Sequence, residues 1–325
     1  MSVATAIAHP NIALVKYWGK RDLPLNLPAV SSLSLTLSDF HTRTTVTWGA
    51  TANSVQLDGQ QASPKDAARA LAFLDRIDPA RPPCAITSTN SFPTGAGLAS
   101  SASGFAALAL AATAARAQAT GTPPPSLTEL SILARQGSGS ACRSLWGGFV
   151  TWARGERADG TDSHGVPLAP QDHWDLRMVV GVVATGPKAV GSTEGMERSR
   201  LSSPLYEVWV DQAESDVAEG AAAVRARDLP RLGRVMEAST LKMHAAMMTA
   251  DPPLLYWQAG SVAALHAIWK LRAEGTGAWV TMDAGPQVKV LCLPQDAAKV
   301  QAALAPHTAR THILGPGPAA FLETP

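Results

Sequence analysis

Acidic side chains are missing from one long stretch of this sequence: no aspartate or glutamate occurs from Pro79 to Thr128. A segment so depleted does not repel an anion, so this is where a phosphate-bearing ligand is best sought. Basic runs are missing too, and a net charge of +1 excludes nucleic acid and membrane surfaces as main partners. Cysteine is scarce. Cys84, Cys142 and Cys292 are odd in number and far apart, which fits neither a disulfide framework nor a zinc site, so they are expected as reduced thiols. The eight histidines include no HExxH spacing, and His9, His244 and His266 have apolar sequence neighbours that suit structural histidines. No apolar run approaches the about 20 residues a bilayer requires. The opening residues lack a basic segment followed by an apolar core and a cleavage site, so a cytoplasmic protein is expected.

Within the acid-free stretch lies PTGAGLASSAS, residues Pro93 to Ser103, followed by an Ala/Leu run without a breaker. This reads as a tight loop opening into a helix. The first turn of a helix has N–H groups without partners and carries partial positive charge. Pro93, Gly95, Gly97, Leu98 and Ala99 would bring backbone close to phosphates, and the hydroxyls of Ser100, Ser101 and Ser103 could reach phosphate oxygens or magnesium. The stretch matches neither a Walker A loop nor the dinucleotide fingerprint, which lacks its third glycine and its acid here. Its composition also describes an alanine-rich core helix capped by serines.

Residues 2–16 and 30–48 alternate with period two and predict half-buried, antiparallel strands. Pro64 to Ile77 has a helical pattern, and a strand from Cys84 leads into the cradle. A short helix, Leu127 to Arg135, precedes a second small-residue loop, GSGSACRS. Gly148 to Arg154 and Leu176 to Ala184 read as strands, the second apolar enough to be buried on both faces. Beyond Ser203 the pattern is helical as far as Glu274. Ala278 opens a strand, DAGP makes a turn with Asp283 at its mouth, and QVKVLCLP returns as the second arm of a hairpin. Asp296 to Leu304 is a last helix before a Gly/Pro-rich tail.

Four segments in this order, KYWGKRD (from Lys16), PTGAGLASSAS, GSGSACRS and MDAGP, together resemble the mevalonate diphosphate decarboxylases of the GHMP kinase superfamily over nearly the whole chain. Leu25-Asn26-Leu27-Pro28 with Ser31 and Ser32, and GSTEGM from Gly191, add to the likeness. The resemblance implies an α+β protein of the GHMP kinase fold. Its ribosomal protein S5 domain 2-like N-terminal domain would span 1–182 and its GHMP C-terminal α+β domain 183–325. It implies ATP-dependent decarboxylation of (R)-mevalonate 5-diphosphate to isopentenyl diphosphate, with ATP and Mg2+ bound and a homodimer as the assembly.

The implied chemistry needs a carboxylate to orient a tertiary alcohol and accept its proton, and Asp283 matches that position. Arg143 suits a substrate carboxylate, with Ser138, Gly139 and Ser140 beside it. Tyr17 and Lys20 match contacts to the substrate diphosphate, Lys16 and Trp18 shape the pocket around it, and Ser192 matches a serine near the phosphates. Ser101 is the candidate hydroxyl for magnesium, which is expected to arrive with ATP. Val30 stands where the family usually has Asn, near the expected pocket entrance, and Gln287 replaces the Asn that commonly follows DAGP. Sister activities on mevalonate 5-phosphate, a kinase acting only at position 3, or a non-catalytic sensor of the same fold stay open at this level.

Overall fold

The computed structural model describes residues 1–92, 100–186 and 188–324. Pro93, Gly95, Gly97, Leu98 and Ala99 of the expected cradle lie outside the described residues.

The chain begins with β1 (Ser2–Ala8), β2 (Asn11–Val15), the short β3 (Lys20–Asp22) and β4 (Leu27–Pro28), then β5 (Ser32–Thr36) and β6 (Thr42–Trp48). β7 (Ser54–Leu57), β8 (Gln60–Gln61), α1 (Pro64–Ile77) and β9 (Cys84–Asn90) follow. Next come α2 (Ser100–Thr120), α3 (Leu127–Gly137), a 3-10 turn (Gly139–Arg143), β10 (Phe149–Trp152), β11 (Gly165–Ala169) and β12 (Arg177–Val182). Four helices succeed these: α4 (Ser192–Ser202), α5 (Tyr206–Ala226), α6 (Leu229–Met248) and α7 (Ala259–Ala273). The chain closes with β13 (Ala278–Thr281), β14 (Val288–Cys292), α8 (Ala297–Leu304), β15 (Arg310–Leu314) and β16 (Phe321–Leu322).

A six-stranded sheet runs in the order β16-β1-β6-β9-β7-β8, and two four-stranded sheets run β11-β10-β5-β2 and β13-β14-β12-β15. Small residues set the first packing layer. Ala4, Ala6 and Ala8 point from β1 toward α2, whose own buried side chains are largely alanines, so helix and sheet approach closely. Ser63 caps α1 by accepting from the Asp66 N–H, and Ser126 with Glu129 forms a capping box on α3.

The period-two reading of 30–48 is half right. β6 alternates as a half-buried strand should, but every residue of β5 is buried. Its leucines, Leu33 and Leu35, enter a core shared with α5 and α6. Its polar face meets protein rather than solvent: Ser32 accepts from Arg143, and Thr36 Oγ1 donates to the Trp146 carbonyl. The expected hairpin is present, with β13 and β14 antiparallel and Thr281 opposite Lys289. β12 lies inside its sheet and is nearly all buried, as its apolar run predicts. GSGSACRS is a 3-10 turn rather than an open loop. Met243, His244 and their neighbours belong to one continuous α6, and α7 starts at Ala259, past the proline-rich 252–258 segment.

The Gly/Pro-rich tail is more ordered than its composition suggests. Gly317 donates to the Thr36 carbonyl and accepts from Gly148 N–H, and β16 then adds to the edge of β1. A Cβ at Gly317 would stand 2.2 Å from the Leu37 carbonyl oxygen, and backbone there cannot give way. The substitution Gly317→Val is therefore expected to destabilise the protein by about 1–3 kcal/mol, the usual cost of overpacking. Urea unfolding checks this, and an unchanged midpoint would contradict the strap's close fit.

Candidate active site

β2 ends at Val15, and the next residue, Lys16, is fixed from two sides. Its N–H donates to Ser239 Oγ at 3.0 Å on α6, and its ammonium donates to the Ala13 carbonyl at 2.8 Å. The same ammonium lies 2.7 Å from Asp283 Oδ1, while Lys289 on β14 lies 2.7 Å from Oδ2. Each lysine side chain is 1% exposed, and that of Asp283 is 34% exposed, so the carboxylate is the open member of a closed set. The hairpin explains this arrangement, because turning the chain between β13 and β14 returns Lys289 beside Asp283.

Burial alone would raise the Asp283 carboxyl, but the charges and hydrogen bonds of the two lysines outweigh it and hold the group well below the usual carboxylate range. Burial lowers Lys16 to about 8, against the opposing pull of Asp283. His244, buried on α6 against Trp257, is pushed down to about 3 by burial and by the Lys16 charge, so its ring is neutral. Its Nε2 has no partner among the described residues.

Arg143 is 2% exposed at the end of the 3-10 turn. Its Nε donates to Asn11 Oδ1 at 3.0 Å, Nη1 donates to Ser32 Oγ at 2.6 Å, and the guanidinium lies over the Trp152 ring. Asn11 also donates to the Ser140 carbonyl and to Ser144 Oγ, locking β2 to the turn. Tyr17 packs against Trp152 with ring centroids 4.6 Å apart. Burial raises its hydroxyl, which the Arg143 charge partly offsets, and that hydroxyl has no partner among the described residues. At Gly139 a Cβ would stand 2.8 Å from Trp152 and 3.1 Å from the Tyr17 hydroxyl, which is why a side chain does not fit there.

The remaining expected residues fall at graded distances from this centre. Ser138 donates to Ser101 at 3.5 Å, joining the second small-residue turn to the start of α2. Ser100 is half-buried and Ser101 exposed, but Ser103 is fully buried and bonded to Thr42 at 2.7 Å, so its hydroxyl is turned into the core rather than toward a ligand. Ser192 opens α4 and accepts from Lys188 at 3.3 Å, and Lys188 is near enough to feel the Asp283 charge. Lys20 is half-buried beside Arg69, whose guanidinium donates to the Gly137 carbonyl. It lines a cavity of about 520 Å³ with Arg21, Arg154, Arg200 and Tyr206, while Asp283 and Arg143 do not line that cavity.

Three expectations need correction. Val30 is 1% exposed inside an apolar cluster with Trp18, Tyr206 and Trp209, not at a pocket entrance. Trp18 belongs to the same cluster and bonds Ser199, so it supports the pocket from behind. His266 is exposed on α7 against Trp269 rather than in apolar surroundings, whereas His9 is the hydrogen-bonded structural residue expected, donating to the Phe40 carbonyl at 2.8 Å. Gln287 is buried with its amide bonded to Val183 N–H and the Ala184 carbonyl, so it braces the hairpin loop. Asn11, Lys188 and Lys289 were not identified from sequence, and His244 is the buried histidine expected there, now seen beside the charged centre. QVKVL, an apolar strand interrupted by a single lysine, was the available signal for Lys289.

Helices over largely antiparallel sheets, a helix opening in serines and a half-buried carboxylate ringed by cations together define the GHMP kinase fold, of α+β class. The chain belongs to the diphosphomevalonate decarboxylase family. Residues 8–165 match the diphosphomevalonate decarboxylase-like N-terminal domain, and residues 178–313 match the mevalonate 5-diphosphate decarboxylase C-terminal domain. A diphosphomevalonate decarboxylase of Aspergillus fumigatus is 40% identical over 336 residues, covering 94% of this chain and 81% of that one. The mevalonate diphosphate decarboxylase structure from Staphylococcus aureus aligns with a TM-score of 0.91 at 35% identity, covering 99% and 98% of the two chains. A solved complex of MDDEF with MVAPP, AMPPCP and magnesium aligns with a TM-score of 0.91 at 37% identity, covering 100% of this chain and 99% of that one.

Because Lys16 is lowered to about 8, raising the pH through that value removes the charge that anchors Asp283 Oδ1. The profile of kcat/KM is thus expected to fall on an alkaline limb near pH 8. In Lys16→Arg, whose guanidinium stays charged, that limb should disappear. Persistence of the limb in the variant would assign it to another group.

Proposed function

We propose that this chain converts (R)-mevalonate 5-diphosphate and ATP to isopentenyl diphosphate, ADP, phosphate and carbon dioxide, in a site between residues 1–182 and 183–325. The observation that carries this reading is Asp283, ionised between Lys16 and Lys289 and open on its remaining side, in a chain of this family.

In this mechanism Asp283 accepts a hydrogen bond from the 3-hydroxyl, aims its oxygen at the γ-phosphorus of ATP and takes the proton as the phosphoryl bond forms. Lys16 balances charge on the aspartate and on the approaching phosphoryl oxygens. Arg143 has Nε and one Nη1 hydrogen committed to Asn11 and Ser32, and its other N–H groups, which have no hydrogen-bond partner among the described residues, would hold the substrate carboxylate. Tyr17, Lys20, Ser138, Gly139, Ser140 and Ser192 hold the diphosphate tail, and Ser100 and Ser101 at the start of α2 hold ATP phosphates. Loss of phosphate breaks the C3–O bond. Cleavage of the C1–C2 bond then releases carbon dioxide, and its electron pair forms the C2–C3 double bond.

Magnesium fits this site as a companion of the nucleotide. The first turn of α2 has no acidic residue, and no group of three or more His, Cys, Asp or Glu side chains among the described residues could hold a metal. Ser101 is the side chain that would reach the ion, which supplies charge neutralisation on the phosphates. A cytoplasmic homodimer completes the proposal. No described helix is long and apolar enough to cross a membrane.

The test is release of ADP and of carbon dioxide side by side from mevalonate 5-diphosphate and from mevalonate 5-phosphate. Equal release of both products from the diphosphate alone is expected. Carbon dioxide from the monophosphate would move the chain to the sister activity, and ADP without carbon dioxide would make it a kinase. Asp283→Asn should lower ADP release by about 10²–10⁴-fold, the range of a positioned acid–base group, with nucleotide binding nearly unchanged.

A further inference from the structure

One carboxylate needs one buried partner for charge balance, yet Asp283 has two. Lys16 already makes a balanced pair with it, and a second buried ammonium adds desolvation cost without a carboxylate of its own. The imbalance extends outward. The Arg143 guanidinium on the 3-10 turn and Lys188 in the segment before α4 are also near enough to feel the Asp283 charge, as is the neutral His244 on α6. A fold that needed only an ion pair here would be served as well by an apolar residue at 289, because the rest of β14 is buried and apolar.

The two lysines also divide their work. Lys16 Nζ is shared between Asp283 Oδ1 and the Ala13 carbonyl, and it belongs to the half of the chain that carries Arg143 and the start of α2. Lys289 Nζ holds the opposite oxygen, Oδ2, from within the same hairpin as Asp283 itself. A carboxylate pinned at one oxygen can rotate about its Cβ–Cγ bond, whereas one pinned at both presents a fixed edge.

We propose that Lys289 is a positioning residue for phosphoryl transfer, fixing the rotation of the Asp283 carboxylate so that its open edge meets the substrate hydroxyl. The surplus positive charge is matched when the anionic substrates enter. This inference rests on the function proposed above and extends it to a residue that contacts neither substrate.

Lys289→Met and Lys289→Gln are compared with the full-length wild-type protein in the same assay of ADP and carbon dioxide release. Both variants are expected to lose about 10–100-fold in kcat, as a misoriented reacting group does, with KM for each substrate changed less than about threefold. Lys289→Arg, which keeps a buried cation within reach of Oδ2, should recover much of the loss. Thermal midpoints of the Met and Gln variants should equal or exceed that of wild type.

Wild-type kcat in both variants would overturn the proposal. So would a loss carried mainly by KM, or an arginine variant no better than methionine. Should Lys289→Met fail to fold, the claim that 289 is structurally dispensable is overturned, and Lys289→Arg against Lys289→Gln still decides the positioning role. Absence of carbon dioxide from the wild type would instead sink the function on which the inference rests.

Discussion

Two buried lysines share one aspartate across the junction of the chain's two halves, and most of the architecture can be derived from that constraint. Lys16 follows a strand of the first half, and Asp283 with Lys289 belongs to a hairpin of the second. A buried ammonium is tolerable only with its counterion in place, so the halves cannot separate without stranding a charge. The surrounding contacts hold them at that spacing. Ser239 on α6 receives the Lys16 N–H, and Thr281 on β13 donates to the Ala13 carbonyl at 3.4 Å. A common apolar core, in which Leu33 and Leu35 meet Ala223, Val224 and Met236, closes the same junction behind the charges.

A second seam runs through Asn11. Its side chain accepts from Arg143 and donates into the turn that carries Ser140 and Ser144, so strand β2 delivers Lys16 at one end and orients Arg143 at the other. Polar side chains on β5 complete the seam from the next strand. Lysine and arginine are therefore placed by one edge strand rather than by independent loops, which suits groups that must meet a substrate together.

Much of this was legible in residue order. The resemblance implied the fold, and the hairpin at Asp283 followed from a Gly-Pro turn between apolar strands. What escaped was whatever depends on the far side of a strand. Period two says that β5 has a polar face but not that another layer covers it, so Ser32 and Thr36 read as solvated. Val30 was read as a site residue because it stands where the family usually has Asn, yet its apolar side chain is buried in the cluster with Trp18, Tyr206 and Trp209. Lys289 was hidden as a charge in an apolar strand whose partner is six positions back around the turn. The tail escaped because Gly and Pro signal flexibility locally, while here they permit close backbone passage between Leu37 and Gly148.

The strap has a consequence for the order in which a ribosome delivers this chain. β1 is made long before β16, and one of its edges stays open until Phe321 and Leu322 arrive to pair with Ile7 and Ala6. Lys16 likewise waits for Asp283. While the segments between them are made, the nascent first half carries an open strand edge and an ammonium it cannot yet bury. Such a chain is exposed to edge-to-edge association during synthesis, and its native state is sealed only when distant segments are brought home.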